Sequence, residues 1–196
     1  MFVLLLYAVL PALVVYVAAL GLSAAAGIKS ALVIRDLAQT ADYPLGVGLI
    51  SSLGYLLWMA AASIALFAGF SFARGRLRAL LLSGGFFSLL LCLDDMFLLH
   101  DRYISANVLY LAYAVFAILI LSRFRDLVLS SGGLAFLVSV LLLGGSMLID
   151  QLQSLYRGYY NQVQLFEEGF KFIGIACWLL FWCQASAKAA TPRITP

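Results

Sequence analysis

The sequence predicts an all-α integral membrane protein, built as a bundle of about six transmembrane helices. Of the 196 residues, 65% are hydrophobic and only 11% are charged, and long stretches carry no charge at all. A soluble domain has about 25% charged residues, so the charges here are too few to cover a surface exposed to water. Lipid must therefore contact most of the exterior, where a helix satisfies its own backbone hydrogen bonds.

Six apolar segments approach the roughly 20 residues that a membrane-spanning helix needs. The first has no Lys or Arg at its start and exceeds the 7–15 apolar residues of a signal peptide, so we interpret it as a retained helix. The second follows Pro44, a residue that favours helix starts. The predicted helices of this single transmembrane domain cover approximately residues 2–26, 45–72, 79–100, 103–122, 127–150 and 164–186.

The third and sixth segments differ from the others because they carry charge inside the predicted span. Their uncharged runs, residues 79–93 and 172–187, contain only 15 and 16 residues. The third reaches spanning length only with Asp94 and Asp95, and the sixth only with Lys171 and the acidic residues just before it. Ionisable side chains inside a membrane are costly and usually functional, so these two helices are the first place to look for a site.

The distribution of Lys and Arg predicts that both termini are cytoplasmic, in a multi-pass protein of the bacterial inner membrane. Seven basic residues, including the groups at 74–78 and 123–125, would then be cytoplasmic, against five on the other side. Of the nine acidic residues only Asp126 would be cytoplasmic, and the single histidine, His100, would lie with the others. An acidic site is therefore expected near the extracytoplasmic face.

Helical rise places the charged groups of three helices at one depth. Asp94 lies 16 residues after Arg78, and Lys171 lies 17 residues before Lys188. At 1.5 Å per residue both are about 24–26 Å along their helices, inside a hydrocarbon core about 30 Å thick. Asp150 ends the fifth predicted helix near the same boundary. We therefore expect these groups to form one polar cluster, with a kink or helix end after Asp95 needed to bring in His100.

The composition of this cluster favours a divalent metal ion as cofactor. Each bare carboxylate at this depth costs at least about 2.5–3.5 kcal/mol, so a cation, protons or Lys171 must compensate the charge. Carboxylates with one imidazole suit several divalent metals. The predicted metal ligands are Asp94, His100, Asp150 and Glu167. The predicted catalytic residues are Asp95 or Glu168 as general base and Lys171 as the group that stabilises negative charge. A structural ion-pair network and a metal-free proton site remain the alternatives.

The segment from Glu167 to Lys171 reads E-E-G-F-K and resembles the E-E-x-x-K motif that opens the conserved region of PrsW-type intramembrane proteases. The resemblance covers five residues. The later histidine-containing motifs of that superfamily have no counterpart here, because no histidine follows Lys171. The chain is therefore not assigned to those proteases.

The sequence predicts a membrane-embedded, metal-dependent enzyme, with hydrolysis as the expected reaction and a lipid or lipid-linked molecule as the expected substrate. One alternative is a non-catalytic subunit or assembly factor, with a membrane-protein partner or a second copy of the chain bound to it. Another is a proton- or cation-coupled transporter, which needs polar groups toward both faces. Nucleic acid is excluded as a partner, because the net charge is only +3 and no basic run is present.

Overall fold

The computed structural model describes residues 6, 9–29, 32–33, 41–44, 46–152 and 160–191, without the side chains of Asp101, Tyr160 and Asn161. The chain divides into two compact units, Met1–Leu49 and Ile50–Pro196. The single transmembrane domain predicted from the sequence stays a prediction, and the two units are described separately.

Every regular element in the described residues is helical. In the first unit, α1 is a 16-residue apolar helix that begins with Pro at its first turn, a position where proline costs no hydrogen bond. The helices, in chain order, are α1 Leu10–Ala25, α2 Leu49–Ser71, α3 Gly75–Phe97, α4 Leu99–Arg102, α5 Ala106–Ser130, α6 Gly133–Leu152 and α7 Tyr160–Ala190.

The predicted fold class is confirmed: the chain is an all-α membrane bundle. Five of the described helices, α2, α3, α5, α6 and α7, are long and apolar enough to cross a membrane. Within the segment predicted as the first span, the described residues include α1, Leu10–Ala25, which is shorter than these five helices. The multi-pass character of the protein follows from these helices, because each satisfies its own backbone hydrogen bonds and can therefore lie in lipid.

Helix boundaries differ from the sequence prediction most strongly around residue 130. The charged residues 123–126 suggested a loop, but α5 continues through them to Ser130 with a kink at Phe124, where φ is −124°. Exposed charges at a helix end reach water, so they need no loop. Arg76 pairs with Asp126 there, at 2.9 Å between Nη2 and Oδ1. The turn to α6 instead falls at Gly132, whose φ of +114° favours glycine.

The third predicted helix is divided into two elements in the structure. It ends at Phe97, and Leu98 adopts a left-handed conformation with φ of +53° and ψ of +47°. Its backbone N–H donates to the carbonyl of Asp94, which satisfies one of the carbonyls left open at the helix end. The short helix α4 follows at once, so the chain turns sharply just after the two buried aspartates. This is the early helix end that His100 requires to approach Asp94.

The interior of the second unit combines aromatic residues of α7 with small residues of its neighbours. Trp178, Trp182 and Phe181 are at most 2% exposed. A Cβ atom placed on Gly84 of α3 would collide with the Trp182 ring, so this glycine lets α3 and α7 approach closely. Trp178 Nε1 donates to Ser88 Oγ at 2.8 Å, which satisfies a polar group in an apolar core.

Candidate functional site: a buried acid–base cluster

Asp94 and His100 form a hydrogen-bonded pair where α3 ends and α4 begins. His100 Nδ1 lies 3.0 Å from both carboxylate oxygens of Asp94. The backbone N–H of His100 donates to Asp94 Oδ1 at 2.9 Å, and Tyr113 Oη donates to Oδ2 at 2.9 Å. Asp94 is only 4% exposed, so these contacts act in a poorly solvated environment where they are strong.

The local fold explains why His100 faces back toward Asp94. In a continuous helix these residues, six positions apart, would lie on different faces. The left-handed Leu98 ends α3 and starts α4, so the first turn of α4 lies beside the last turn of α3. The Asp94 carboxylate then accepts a backbone N–H of that first turn, as an N-cap side chain does. One carboxylate therefore holds both the backbone and the ring of His100.

Asp95, the next residue, pairs with a different helix. Lys171 Nζ of α7 lies 2.5 Å from Asp95 Oδ1 and 3.8 Å from Glu168 Oε1. The Asp95 side chain is 9% exposed, whereas those of Lys171 and Glu168 are 25% and 33% exposed. Asp95 Oδ2 is buried and has no hydrogen-bond partner among the described residues. The ion pair thus leaves one carboxylate oxygen in need of a donor.

Asp150 adds a third carboxyl group from the end of α6. Tyr110 Oη of α5 donates to Asp150 Oδ2 at 2.8 Å. The Tyr110 ring also lies near His100, with 5.7 Å between ring centroids. Tyr110 and Tyr113 are one turn apart on α5, so the two hydroxyls reach Asp150 and Asp94 from the same helix face.

These groups surround one cavity of about 70 Å³, which we call the polar cavity. Both tyrosines line it. Six of the seven site residues predicted from the sequence also line it: Asp94, Asp95, His100, Asp150, Glu167 and Lys171. Glu168 does not line the polar cavity, but its Oε1 lies 3.8 Å from Nζ of Lys171, which does line it. The expected convergence of α3, α6 and α7 is present, while the chemical roles of these residues stay predictions.

The arrangement of the described residues gives no support to the predicted metal ligands. Among the described residues, no three His, Cys, Asp or Glu side chains are placed to hold a metal ion. Both Asp94 oxygens lie at hydrogen-bond distance from His100 Nδ1, so this carboxylate orients the imidazole ring. Asp150 is engaged by Tyr110. A metal held by Asp94, His100, Asp150 and Glu167 would require these side chains to rearrange.

Sequence reasoning missed Tyr110 and Tyr113. The fourth predicted helix carries no charge, so the sequence predicted no site residue on it. A signal was available, because two phenol groups three residues apart, close to the start of a helix, lie at the depth of the aspartates on α3. A buried carboxyl requires donors, and tyrosine hydroxyls supply them without adding charge.

The fold and the site together define a polytopic helical membrane protein with a buried acid–base cluster at one end of its bundle. The chain belongs to a family described as a domain of unknown function, DUF8692, which matches residues 6–185. A search of curated proteins and a search of solved structures found no match to this chain.

Proposed function

We propose that this protein is a membrane-embedded hydrolase that acts on a lipid or lipid-linked substrate, with His100 as general base. The contact of the Asp94 carboxylate with His100 Nδ1 carries the proposal. An ionised carboxylate cannot donate, so a neutral His100 in this contact carries its proton on Nδ1. The other nitrogen, Nε2, is then the basic atom of the ring, as in the His–Asp pairs of hydrolases.

The remaining residues have roles that follow from their contacts. His100 Nε2 takes a proton from water, and the oxygen of that water attacks the substrate carbonyl carbon. Lys171 stabilises the negative charge that develops on the carbonyl oxygen. The imidazolium then returns the proton to the leaving group, which departs as the carbon–heteroatom bond breaks. Asp94 and Tyr113 are positioning residues for the ring, and Asp95 positions Lys171.

This assignment changes the general base that the sequence suggested. Asp95 is paired with Lys171, and Glu168 lies outside the polar cavity. Neither carboxylate is therefore placed as a base in the cavity in the way that His100 is. The divalent metal stays a prediction in its own right. Elemental analysis of purified protein tests it: a stoichiometric metal that is lost from Asp94→Ala but kept in Lys171→Ala supports the metal-dependent mechanism.

A comparison of lipid hydrolysis in two matched variants tests the proposed function. Purified protein in vesicles of bacterial lipid extract is incubated, and the lipids are compared by mass spectrometry. Asp94→Asn should reduce product formation by about 100-fold or more, because it removes the group that orients the imidazole. Asp126→Asn makes the same chemical change at the opposite end of the bundle, where Asp126 is exposed, and should leave the products unchanged. Identical lipid profiles with wild-type and Asp94→Asn protein would refute the enzyme proposal.

A non-catalytic subunit or assembly factor is the second candidate, and one observation favours it. The polar contacts link different helices: Asp95 with Lys171 joins α3 to α7, and Tyr110 with Asp150 joins α5 to α6. Such a network can hold the bundle together, or present it to a membrane-protein partner or a second copy of the chain, without any catalytic role. On this account His100→Gln would reduce complex formation or stability and would change no lipid. The transporter alternative gains no comparable support.

A further inference from the structure

A second cavity of about 130 Å³ lies deeper in the bundle, directly beside the polar cavity. We call it the apolar cavity. Five residues line both cavities, which makes them neighbours: Trp58, Leu91, Tyr113, Leu143 and Met147. Phe87 lines only the apolar cavity and precedes Asp94 by seven residues, about 10 Å along α3. The pair of cavities therefore has a polar end near the helix termini and an apolar end toward the middle of the bundle.

The apolar cavity has the size and lining of a site for part of a hydrocarbon chain. Apart from the Tyr113 hydroxyl, which is bonded to Asp94, its lining side chains are aromatic, aliphatic or thioether groups. A dry cavity of roughly 150 Å³ binds a molecule such as benzene, so this one accommodates about five or six carbons. Ala114 and Ala117 have small side chains and Gly144 has none, which leaves this space open.

The polar cavity has a specific requirement of its own. Asp95 is 6% exposed, and its Oδ2 has no hydrogen-bond partner among the described residues. A buried acceptor without a donor is unfavourable, and native proteins rarely keep one without a partner. Asp95 lines the polar cavity, so a molecule bound there would satisfy Oδ2 by donating an O–H or N–H group once the carboxylate turns toward it. An ether or ester oxygen in the same place has no proton to donate.

We propose that the two cavities bind a single amphiphile, whose head donates a hydrogen bond from a hydroxyl or amine to Asp95 and whose chain enters the apolar cavity. The inference rests on the proposed function and specifies its substrate class, because the bound head would lie beside His100 and Lys171. It separates this class from lipids whose heads offer acceptors alone.

Photo-crosslinking of three amphiphiles that differ only in the head tests the proposal. Each has the same twelve-carbon chain with a mid-chain diazirine, and the heads are an alcohol, a primary amine and a methyl ether. The protein is irradiated with each probe in lipid nanodiscs, and the labelled residues are identified by mass spectrometry. We expect the alcohol, the amine or both to label residues 114–117 of α5 or 140–144 of α6, at least about tenfold more than the methyl ether. Equal labelling by all three probes would mean that any lipid chain fills the apolar cavity, and would overturn the proposal.

A matched pair of glycine variants tests the chain-binding part. A Cβ at Gly144 or at Gly169 meets no atom within 4 Å, but only Gly144 lines the apolar cavity. Gly144→Leu should remove most of the labelling, whereas Gly169→Leu should keep it, with similar thermal unfolding midpoints for both. Full labelling of Gly144→Leu would contradict the proposed position of the chain. Crosslinking measures binding without turnover, so lipid hydrolysis without head-dependent labelling overturns this inference alone. Labelling without hydrolysis overturns the proposed reaction alone.

Discussion

At the scale of single residues, two of the ion pairs in the described part of the chain lie in different surroundings. Lys171 and Asp95 have side chains that are 25% and 9% exposed, whereas those of Arg76 and Asp126 are 53% and 62% exposed. The first pair lies between packed helices, and the second lies at an exposed helix end. Water screens an exposed pair and compensates either partner when the other is removed, which a buried pair does not allow.

The two pairs should therefore respond differently to the same change. Lys171→Met leaves the Asp95 carboxylate buried without its cation and should lower the free energy of unfolding by on the order of 2–3 kcal/mol. Arg76→Met should have little measurable effect, because the Asp126 carboxylate stays solvated. Thermal unfolding in detergent measures both, and the double variant Asp95→Asn/Lys171→Met should recover part of the loss. Equal destabilisation by the two single variants would contradict the buried character of the Asp95–Lys171 pair.

At the scale of the helices, glycines fall into two kinds. Gly84 of α3 faces Trp182 of α7 so closely that a Cβ atom would collide with the ring. Gly144 of α6 borders the apolar cavity, and a Cβ there meets nothing within 4 Å. The first glycine is needed for helix packing, whereas the second leaves space that a ligand can use.

Alanine should affect stability differently at these two glycines. Gly84→Ala should destabilise the protein by about 1–3 kcal/mol, because the Trp182 ring is fully buried and must move. Gly144→Ala should be neutral or stabilise by up to about 1 kcal/mol, since alanine favours the helix more than glycine does. The comparison of unfolding midpoints needs no knowledge of the substrate. A stabilising Gly84→Ala would show that α3 and α7 are not in close contact at this point.

At the scale of the whole molecule, the distribution of basic residues predicts the orientation in the membrane. Basic residues at 74–78 and 123–125 predict that these ends and both termini are cytoplasmic, which would place the polar cavity near the extracytoplasmic face. Single cysteines at residues 40 and 190, in a background without the three native cysteines, should react with a membrane-impermeant reagent from opposite sides. Labelling of both from the same side would reverse or invalidate this topology.

The sequence predicted the helices and the convergence of charge well, because both depend on composition and helical rise. Long uncharged runs have only one stable state in lipid, and the depths of Asp94 and Lys171 follow from counting residues. The α5–α6 boundary was less predictable, because charges at 123–126 can end a helix or remain exposed on it. The break at Leu98 was expected only in general terms, since leucine is not typical of left-handed backbone. Tyr110 and Tyr113 were missed because their hydroxyls do not stand out among apolar residues.

The central claim, that Asp94 positions His100 as a base, can be tested directly because the chain has a single histidine. In protein labelled with ¹⁵N-histidine, the two ring nitrogens are then the only labelled imidazole signals in the NMR spectrum. At a pH where the ring is neutral, the structure predicts that Nδ1 carries a proton whose ¹H signal is shifted strongly downfield and that Nε2 carries no proton. This downfield proton signal should be lost in Asp94→Asn. A proton on Nε2 with an Nδ1 signal that does not respond to Asp94→Asn would contradict the account.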